Sequence, residues 1–386
     1  MIKTIRVMLL PNNKQKSKLF LYANTSRYVY NWAIAREQSN YKDGNKFISD
    51  YDLRKEFTQL KKLEEYSWLN TVSNDAMKQS IKDACNAYKK FFKHQTNYPK
   101  FKSRKFSTPS FYQDNVKIRF TETHVKIEGI AGSHKKNRQK LNWIKLAEHN
   151  RIPTNCKYHN PRIKYDGLNW YITVGVDYDD CANKPKNDGI GIDLGIKDLA
   201  ICSDENTYKN INKSKKIRKL EKKKRRLQRS VSRKIKKFNR NSKQSCNAIK
   251  AKKKFLKTSH KLTNIRHNYL HQITSSIVKR EPSFICIEDL NVNGMMKNRH
   301  LSKAVQQQCF YEFRRQIEYK AKWNNIKIVV ADRFYPSSKT CYCCGNVKKD
   351  LKLSDRIYKC ECCGNVIDRD YQAALNLQRY GENFVK

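Results

Sequence analysis

Two cysteine pairs near the C-terminal end constrain this chain's fold more than any other feature. Cys341-x2-Cys344 is followed, after fifteen residues, by Cys360-x2-Cys363, the four-thiolate spacing of a structural zinc site. Two ligands separated by two residues can grip one tetrahedral ion from a tight turn. Gly345 and Gly364 each follow the second cysteine of a pair, where that turn needs a permissive backbone. Cys343 and Cys362 lie inside the knuckles; a frame using them would give Cys-x-Cys spacing and lose the paired glycines. The expected ligands are therefore Cys341, Cys344, Cys360 and Cys363. Structural zinc contributes on the order of 10–16 kcal/mol to a small fold, so this module is expected to be metal-dependent. Ribbons of this kind bind DNA, RNA or protein, so zinc alone leaves the substrate open.

The charge balance narrows the substrate. Lys and Arg number 82 against 35 Asp and Glu, a formal net charge of +47 over 386 residues. That much like charge destabilises a compact chain unless a polyanion neutralises it. A duplex carries one phosphate charge per roughly 1.7 Å of axis, so the surplus is comparable to about 20 base pairs of nucleic acid. A membrane partner is not expected: the longest apolar runs, such as Phe284-Ile285-Cys286-Ile287, fall far short of the roughly 18 residues a span requires. Met1-Ile2-Lys3-Thr4-Ile5-Arg6 alternates like a strand and has no signal-peptide core. Thirteen cysteines in such a chain are expected to be reduced, or on metal, inside a cell.

The pattern along the chain changes four times. Ile5, Val7 and Leu9 alternate and stop at Pro11, a first strand. From Lys14 to about Lys93 the period is helical, with Leu19, Ala23 and Ala33, then Ala76, Ala84 and Phe91. From 111 to 178 it falls to two, through Val116, Ile118 and Phe120, then Trp170, Ile172 and Val174 after the hairpin signal Asp166-Gly167. This predicts a small antiparallel β-domain, a barrel closed with the first strand. Residues 182–188, with Pro185, read as a boundary. Beyond it, Gly189-Ile190-Gly191-Ile192-Asp193 is a short buried strand with Leu199-Ala200-Ile201-Cys202 as its hairpin partner. Residues 209–266 then hold 25 Lys or Arg against one acid, Glu221. Ile217, Leu220, Leu227, Val231, Ile235 and Phe238, resuming at Ile249, give that stretch one apolar stripe and predict a basic helical hairpin. Two more strands, around Phe284–Glu288 and Ile326–Val330, flank a helix expected from about Lys303 to Asn325, and a last helix is expected from Tyr371 to Tyr380.

Three acids stand where carboxylates are costly or poised. Asp193 and Glu288 each end an apolar strand, where a charge needs a partner and a divalent metal is the usual one. Two-metal nucleases hold ions about 3.5–4 Å apart with such groups, one side activating water and the other stabilising the leaving oxygen. Singly, Asp193 could cap a turn and Glu288 could pair with a lysine. The third acid comes from Asp368-Arg369-Asp370, where a helix N-cap is the competing use. Strand-Asp, strand-Glu and helix-start Asp, in that order, match the layout of an RNase H-like, RuvC-type nuclease.

Over most of its length the chain resembles the TnpB (OrfB) family of insertion-sequence proteins, relatives of the type V CRISPR effectors. The resemblance lies in Tyr28 to Trp32 after the opening strand, Gly191-Ile192-Asp193-Leu194-Gly195, Ile287-Glu288-Asp289-Leu290, Ser337-Ser338-Lys339-Thr340-Cys341 and Asp368-Arg369-Asp370. It implies an RNA-guided DNA endonuclease that binds a guide RNA from the transposon end and cuts target double-stranded DNA beside a short adjacent motif. It implies an α/β multidomain fold: a β-barrel wedge (1–13 and 106–187), a helical recognition domain (14–105), a RuvC-like nuclease domain (188–335 and 367–386) and a zinc ribbon (336–366). By the same resemblance Asp193, Glu288 and Asp370 form the catalytic triad on two Mg2+ ions, with Asp289 and Asp332 supportive, and the four cysteines hold one Zn2+. Gln372 stands where the family has Asn; Gln can make similar hydrogen bonds from a longer arm, so activity is expected to survive. The rival readings are a nuclease-inactive guided repressor, which would be expected to lose triad acids, and a transposase or an unguided junction resolvase. The expected location is cytoplasmic and nucleoid-associated in a prokaryote. In a eukaryotic or viral setting Lys222-Lys223-Lys224-Arg225-Arg226 could serve as a nuclear signal.

Overall fold

In the computed structural model, which describes residues 2–130, 141–178, 187–236, 245–352 and 355–384, the chain divides into two units, one ending at Asp179 and the other beginning at Asp180. The opening alternation forms β1 (Ile2–Leu10). Pro11 has no N–H to extend the ladder, and Asn12 starts α1 (Asn13–Lys42) with a capping box: its side chain accepts from the Gln15 amide while the Gln15 side chain accepts from the Asn12 amide. Ser49 and Ser73 cap α2 (Asp50–Leu60) and α3 (Asn74–Phe92). Six short strands follow: β2 (Ser110–Tyr112), β3 (Arg119–Phe120), β4 (His124–Lys126), β5 (Trp143–Leu146), β6 (Tyr158–Tyr165) and β7 (Trp170–Asp177).

β1 enters the middle of this antiparallel sheet, whose order is β2-β6-β7-β1-β5-β4-β3. The β6–β7 turn is the one expected at Asp166-Gly167: Asp166 Oδ1 accepts from the amides of Leu168 and Asn169, and Gly167 has φ 95°. Two expectations need correction. No ladder among the described residues joins the edge strands β2 and β3, so the sheet is not hydrogen-bonded into a closed barrel. Val116 is not a strand residue: Asp114 Oδ1 captures the amides of Val116 and Lys117 in a turn, leaving Val116 exposed. Helices and sheet share one core, with Leu19, Tyr22 and Ala76 packed among Val7, Trp170 and Ile172. A second core lies among the helices themselves, around Ile34, Phe57 and Ile81.

The second unit is built on a five-stranded sheet, β10-β9-β8-β11-β12. β8 (Ile190–Leu194), β9 (Asp198–Cys202) and β10 (Thr207–Lys209) form an antiparallel meander. The basic helices α4 (Lys215–Lys236) and α5 (Cys246–Val278) then lead to β11 (Phe284–Glu288), which runs parallel to β8 and to β12 (Lys327–Ala331). On α4 and α5, Ile217 and Leu262 are buried but Ile235 and Ile249 are exposed, so the expected stripe is covered over only part of its length; Phe238 lies outside the described residues.

The helix expected from Lys303 to Asn325 is two helices. After α6 (Val292–Lys297), α7 (Ser302–Gln308) and α8 (Phe310–Trp323) meet at Cys309, whose φ of 58° breaks the helical hydrogen bonding. The break lets the buried Gln308 amide donate to the Gly195 carbonyl at 2.9 Å, closing over the β8–β9 turn. The chain ends in the hairpin β13 (Ile357–Lys359) and β14 (Val366–Asp368), then α9 (Arg369–Glu382). Ile192, Ile285 and Ile287 pack with Leu270, Ile273 and Ile277 of α5 and Phe313 and Ile317 of α8. Phe284 and Cys286 pack with Leu377 of α9. No described helix is long and apolar enough to cross a membrane.

Candidate metal centres

Register brings two of the expected acids together. Ile192 of β8 is paired with Ile287 of β11 in a parallel ladder, so the next residues, Asp193 and Glu288, leave the same end of adjacent strands. α9 closes on that sheet because Gly191 has no side chain: a Cβ there would be driven into the Ala374 carbonyl oxygen and the Gln378 backbone nitrogen. Asp370, in the first turn of α9, is thereby carried to within electrostatic reach of both strand acids. Burial pushes the Asp193 carboxyl well above the usual carboxylate range; Glu288 and Asp370 push the same way, and Arg369 opposes them. Burial also raises Glu288, against a hydrogen bond from Ser337 and with further repulsion from Asp370.

Asp368 and Asp370 have different surroundings. Asp368 is the N-cap of α9, its Oδ1 accepting from the amides of Asp370 and Tyr371, both at 3.0 Å. Asp370 faces two guanidiniums: Arg369 Nη2 donates to Oδ1 at 2.8 Å and Arg356 Nη1 to Oδ2 at 3.4 Å. Ser337 Oγ donates to Glu288 Oε1 at 2.7 Å. Asp289 is held by Arg314 and Arg333, and Asp332 accepts from Tyr380 Oη at 3.1 Å. The sequence pattern alone assigns Ser337, Arg356 and Arg369 no separate role. The cue available for Arg369 was its place between two acids.

Gln372 departs from its expectation. It is fully buried in α9, and neither its Nε2 nor its Oε1 finds a partner among the described residues. The compensating hydrogen bonds a longer arm could make are not formed.

The four cysteines converge. The sulfurs of Cys341, Cys344, Cys360 and Cys363 all lie within 4.8 Å of one another, and among the described residues they are the one group of potential metal ligands gathered so closely. The three carboxylates are more widely spaced than that. Gly345 and Gly364 adopt φ values of 75° and 71°, the left-handed backbone the knuckle turns require. The Cys363 backbone amide draws the Cys360 thiol down to about 6, while, against the Asn346 amide, burial and the neighbouring thiols hold Cys344 up at about 12, so the four share their protons unevenly. Cys343 and Cys362 are exposed and stand outside the cluster.

Each centre fits a cation on its own chemistry. Four convergent thiols match zinc. Two half-buried, mutually repelling carboxylates backed by a third match hard divalent ions, which prefer oxygen ligands.

Comparison with known proteins gives three family models. One described as "Probable transposase" (OrfB_IS605) matches residues 172–299, a "Cas12f1-like, TNB domain" matches 310–377, and a "Helix-turn-helix domain" (HTH_OrfB_IS605) matches 1–46. The last span holds β1 and the single long helix α1 in this structure. InsQ of Escherichia coli (strain K12), whose name carries the words RNA-guided DNA endonuclease, is 28% identical over 98% of this chain and 92% of its own length. A Streptomyces pristinaespiralis protein with the same words in its name is 29% identical, covering 98% of this chain and 89% of its own. The fold is similar to that in a cryo-EM structure of a Cas12f1–sgRNA–target DNA complex, with a TM-score of 0.53 over 98% of both chains at 13% identity.

Proposed function

We propose that the chain is a member of the TnpB (OrfB) family and acts as an RNA-guided DNA endonuclease that cuts target DNA by divalent-metal-dependent hydrolysis in a RuvC-type site. The observation that carries the catalytic part is the meeting of Asp193 and Glu288 at one end of two parallel strands, with Asp370 in electrostatic reach of both. In this reading Asp193, Glu288 and Asp370 would hold two Mg2+ ions, which when bound supply water activation and charge neutralisation at the leaving oxygen. The chain's own residues do the rest. Ser337 fixes the Glu288 carboxylate, Asp368 spends its side chain capping α9, and Arg369 and Arg356 balance Asp370. Cys341, Cys344, Cys360 and Cys363 would hold one structural Zn2+, tying the β13–β14 hairpin to the loop that carries Ser337.

Guide RNA and target DNA are the polyanions that the +47 charge anticipates. The basic helices α4 and α5 are suited to phosphates of an RNA–DNA heteroduplex, with sequence read by base pairing rather than by side chains. Arg225, Arg226, Arg229 and Arg233 line one hollow on α4. The four-part division into wedge (1–13 and 106–187), recognition domain (14–105), nuclease domain (188–335 and 367–386) and ribbon (336–366) belongs to the same proposal.

The test is cleavage of target DNA by the purified protein with and without its co-purifying RNA. RNA- and Mg2+-dependent cutting is expected, abolished by Asp193→Ala with RNA binding retained. Cutting without RNA would favour an unguided resolvase, and guided binding without cutting under any divalent metal would favour a repressor.

A further inference from the structure

Beside Glu288 the second unit opens into a cleft of about 290 Å³. That lies at the small end of the roughly 300–1,000 Å³ range of ligand clefts, room for one nucleotide and too little for a duplex. Glu288 forms one wall, so whatever enters lies against the candidate cutting site. Asn291, Tyr311, Arg314 and Arg333 line it as well, alongside apolar side chains such as Leu290 and Phe310. Tyr311, in the first turn of α8, is 73% exposed, whereas its neighbour Phe310 is buried. An aromatic ring left in solvent at the mouth of a cleft has lost burial that a flat ligand could restore. Arg314 is balanced by Asp289 and Glu318. Arg333 meets Asp289 through a single Nη2 contact and is half exposed, which leaves guanidinium N–H groups for an anion.

The geometry points to a nucleotide subsite: this cleft takes one unpaired deoxynucleotide flanking the scissile phosphate, its base stacked on Tyr311 and its phosphate edge met by Arg333. The assignment rests on the reading of Asp193, Glu288 and Asp370 as the cutting site. A base can reach Tyr311 only after leaving its duplex. Stacking is tolerant of base identity, since every base has a π-face. That suits an enzyme whose sequence choice is made by a guide. Asn291 Oδ1 caps α6 by accepting from the Gly294 amide, so what this lining residue offers a base edge is its Nδ2 donor.

The test uses the full-length protein with its co-purifying RNA. Target DNA carrying 5-iododeoxyuridine near the cut position, bound to the Asp193→Ala protein, is irradiated and the crosslinked peptides are mapped. A crosslink on Tyr311 is expected; efficient crosslinking confined to other residues overturns the subsite, including the case where the cleft serves a protein partner. In parallel, Tyr311→Ala on an otherwise native chain should slow cutting at limiting DNA about tenfold, and Tyr311→Phe, which keeps the ring, should stay within about twofold of the native rate. Equal rates for Tyr311→Ala and the native protein also overturn it. A Tyr311 crosslink in a protein that never cuts DNA would keep the nucleotide subsite and remove the nuclease reading instead.

Discussion

Ser337 Oγ donates a 2.7 Å hydrogen bond to Glu288 Oε1, and Ser337 is itself held, because Asn376 Nδ2 donates to the carbonyls of Ser337 and Thr340, both at 2.7 Å. A carboxylate at a strand end can swing about its side-chain torsions, and this bond selects one orientation. Hydrogen bonds to charged groups contribute about 1.5–3 kcal/mol. Ser337→Ala should therefore slow target cleavage roughly 10- to 100-fold and raise the Mg2+ concentration for half-maximal rate, with zinc content unchanged. Single-turnover cleavage across a Mg2+ series checks this. A variant as fast as the native protein at every Mg2+ concentration would show that Glu288 is oriented by something else.

Gly191 sets how closely α9 lies on β8. Its would-be Cβ meets backbone atoms of Ala374 and Gln378 rather than a flexible side-chain end, so neither neighbour can yield by changing rotamer. Overpacking of that kind costs about 1–3 kcal/mol and sometimes more. Gly191→Ala should lower the thermal midpoint by several degrees and abolish cutting even at temperatures where the variant remains folded, because Asp370 is moved off Asp193. Native-like cleavage by a folded Gly191→Ala protein would refute the idea that this contact fixes the third acid.

The zinc assignment separates six clustered cysteines into four ligands and two bystanders. Cys341→Ser should release zinc and unfold the β13–β14 hairpin, since Cys341 and Cys360 form its small core with Tyr358. Cys343→Ser and Cys362→Ser, both exposed, should keep one zinc per chain. Metal content by elemental analysis decides it: loss of zinc from either exposed-cysteine variant would contradict the ligand set.

Much of this was legible in the sequence because strands and metal knuckles leave short, local signatures. Asp193 and Glu288 stood out as acids ending apolar runs, and the paired glycines picked the four cysteines out of six. What escaped was everything fixed by distant residues. Cys309 breaks a strongly periodic helical run, and nothing local announces a left-handed cysteine; the reward, Gln308 reaching Gly195, lies 113 residues away. Ser337 lay within a motif, yet its bond to Glu288 spans 49 residues. Val116 fitted an alternating pattern that a side-chain turn at Asp114 overrode. The unpartnered amide of buried Gln372 could not be foreseen either, since hydrogen-bond satisfaction is a property of the packed state.

Lys320 is buried where α8 packs against α5, and no carboxylate pairs with it among the described residues. Its Nζ instead donates to the His271 carbonyl at 2.9 Å, Thr274 Oγ1 at 2.6 Å and Ser275 Oγ at 2.8 Å. Burial brings its pKa down from 10.5 to about 8. The sign follows from proton counting. Between pH 8 and 10.5 the unfolded chain keeps this proton while the native chain has released it, so this group makes stability rise with pH across that window. Below about pH 8 both states are charged, and the native state bears the whole cost of the buried ammonium. A Lys320→Met protein lacks that dependence. The native protein's thermal midpoint, measured relative to Lys320→Met, should therefore climb by a few degrees from about pH 7 to about pH 9.5. Because the two proteins share every other titrating group, a difference that stayed flat or fell would mean that the three acceptors keep Lys320 charged throughout.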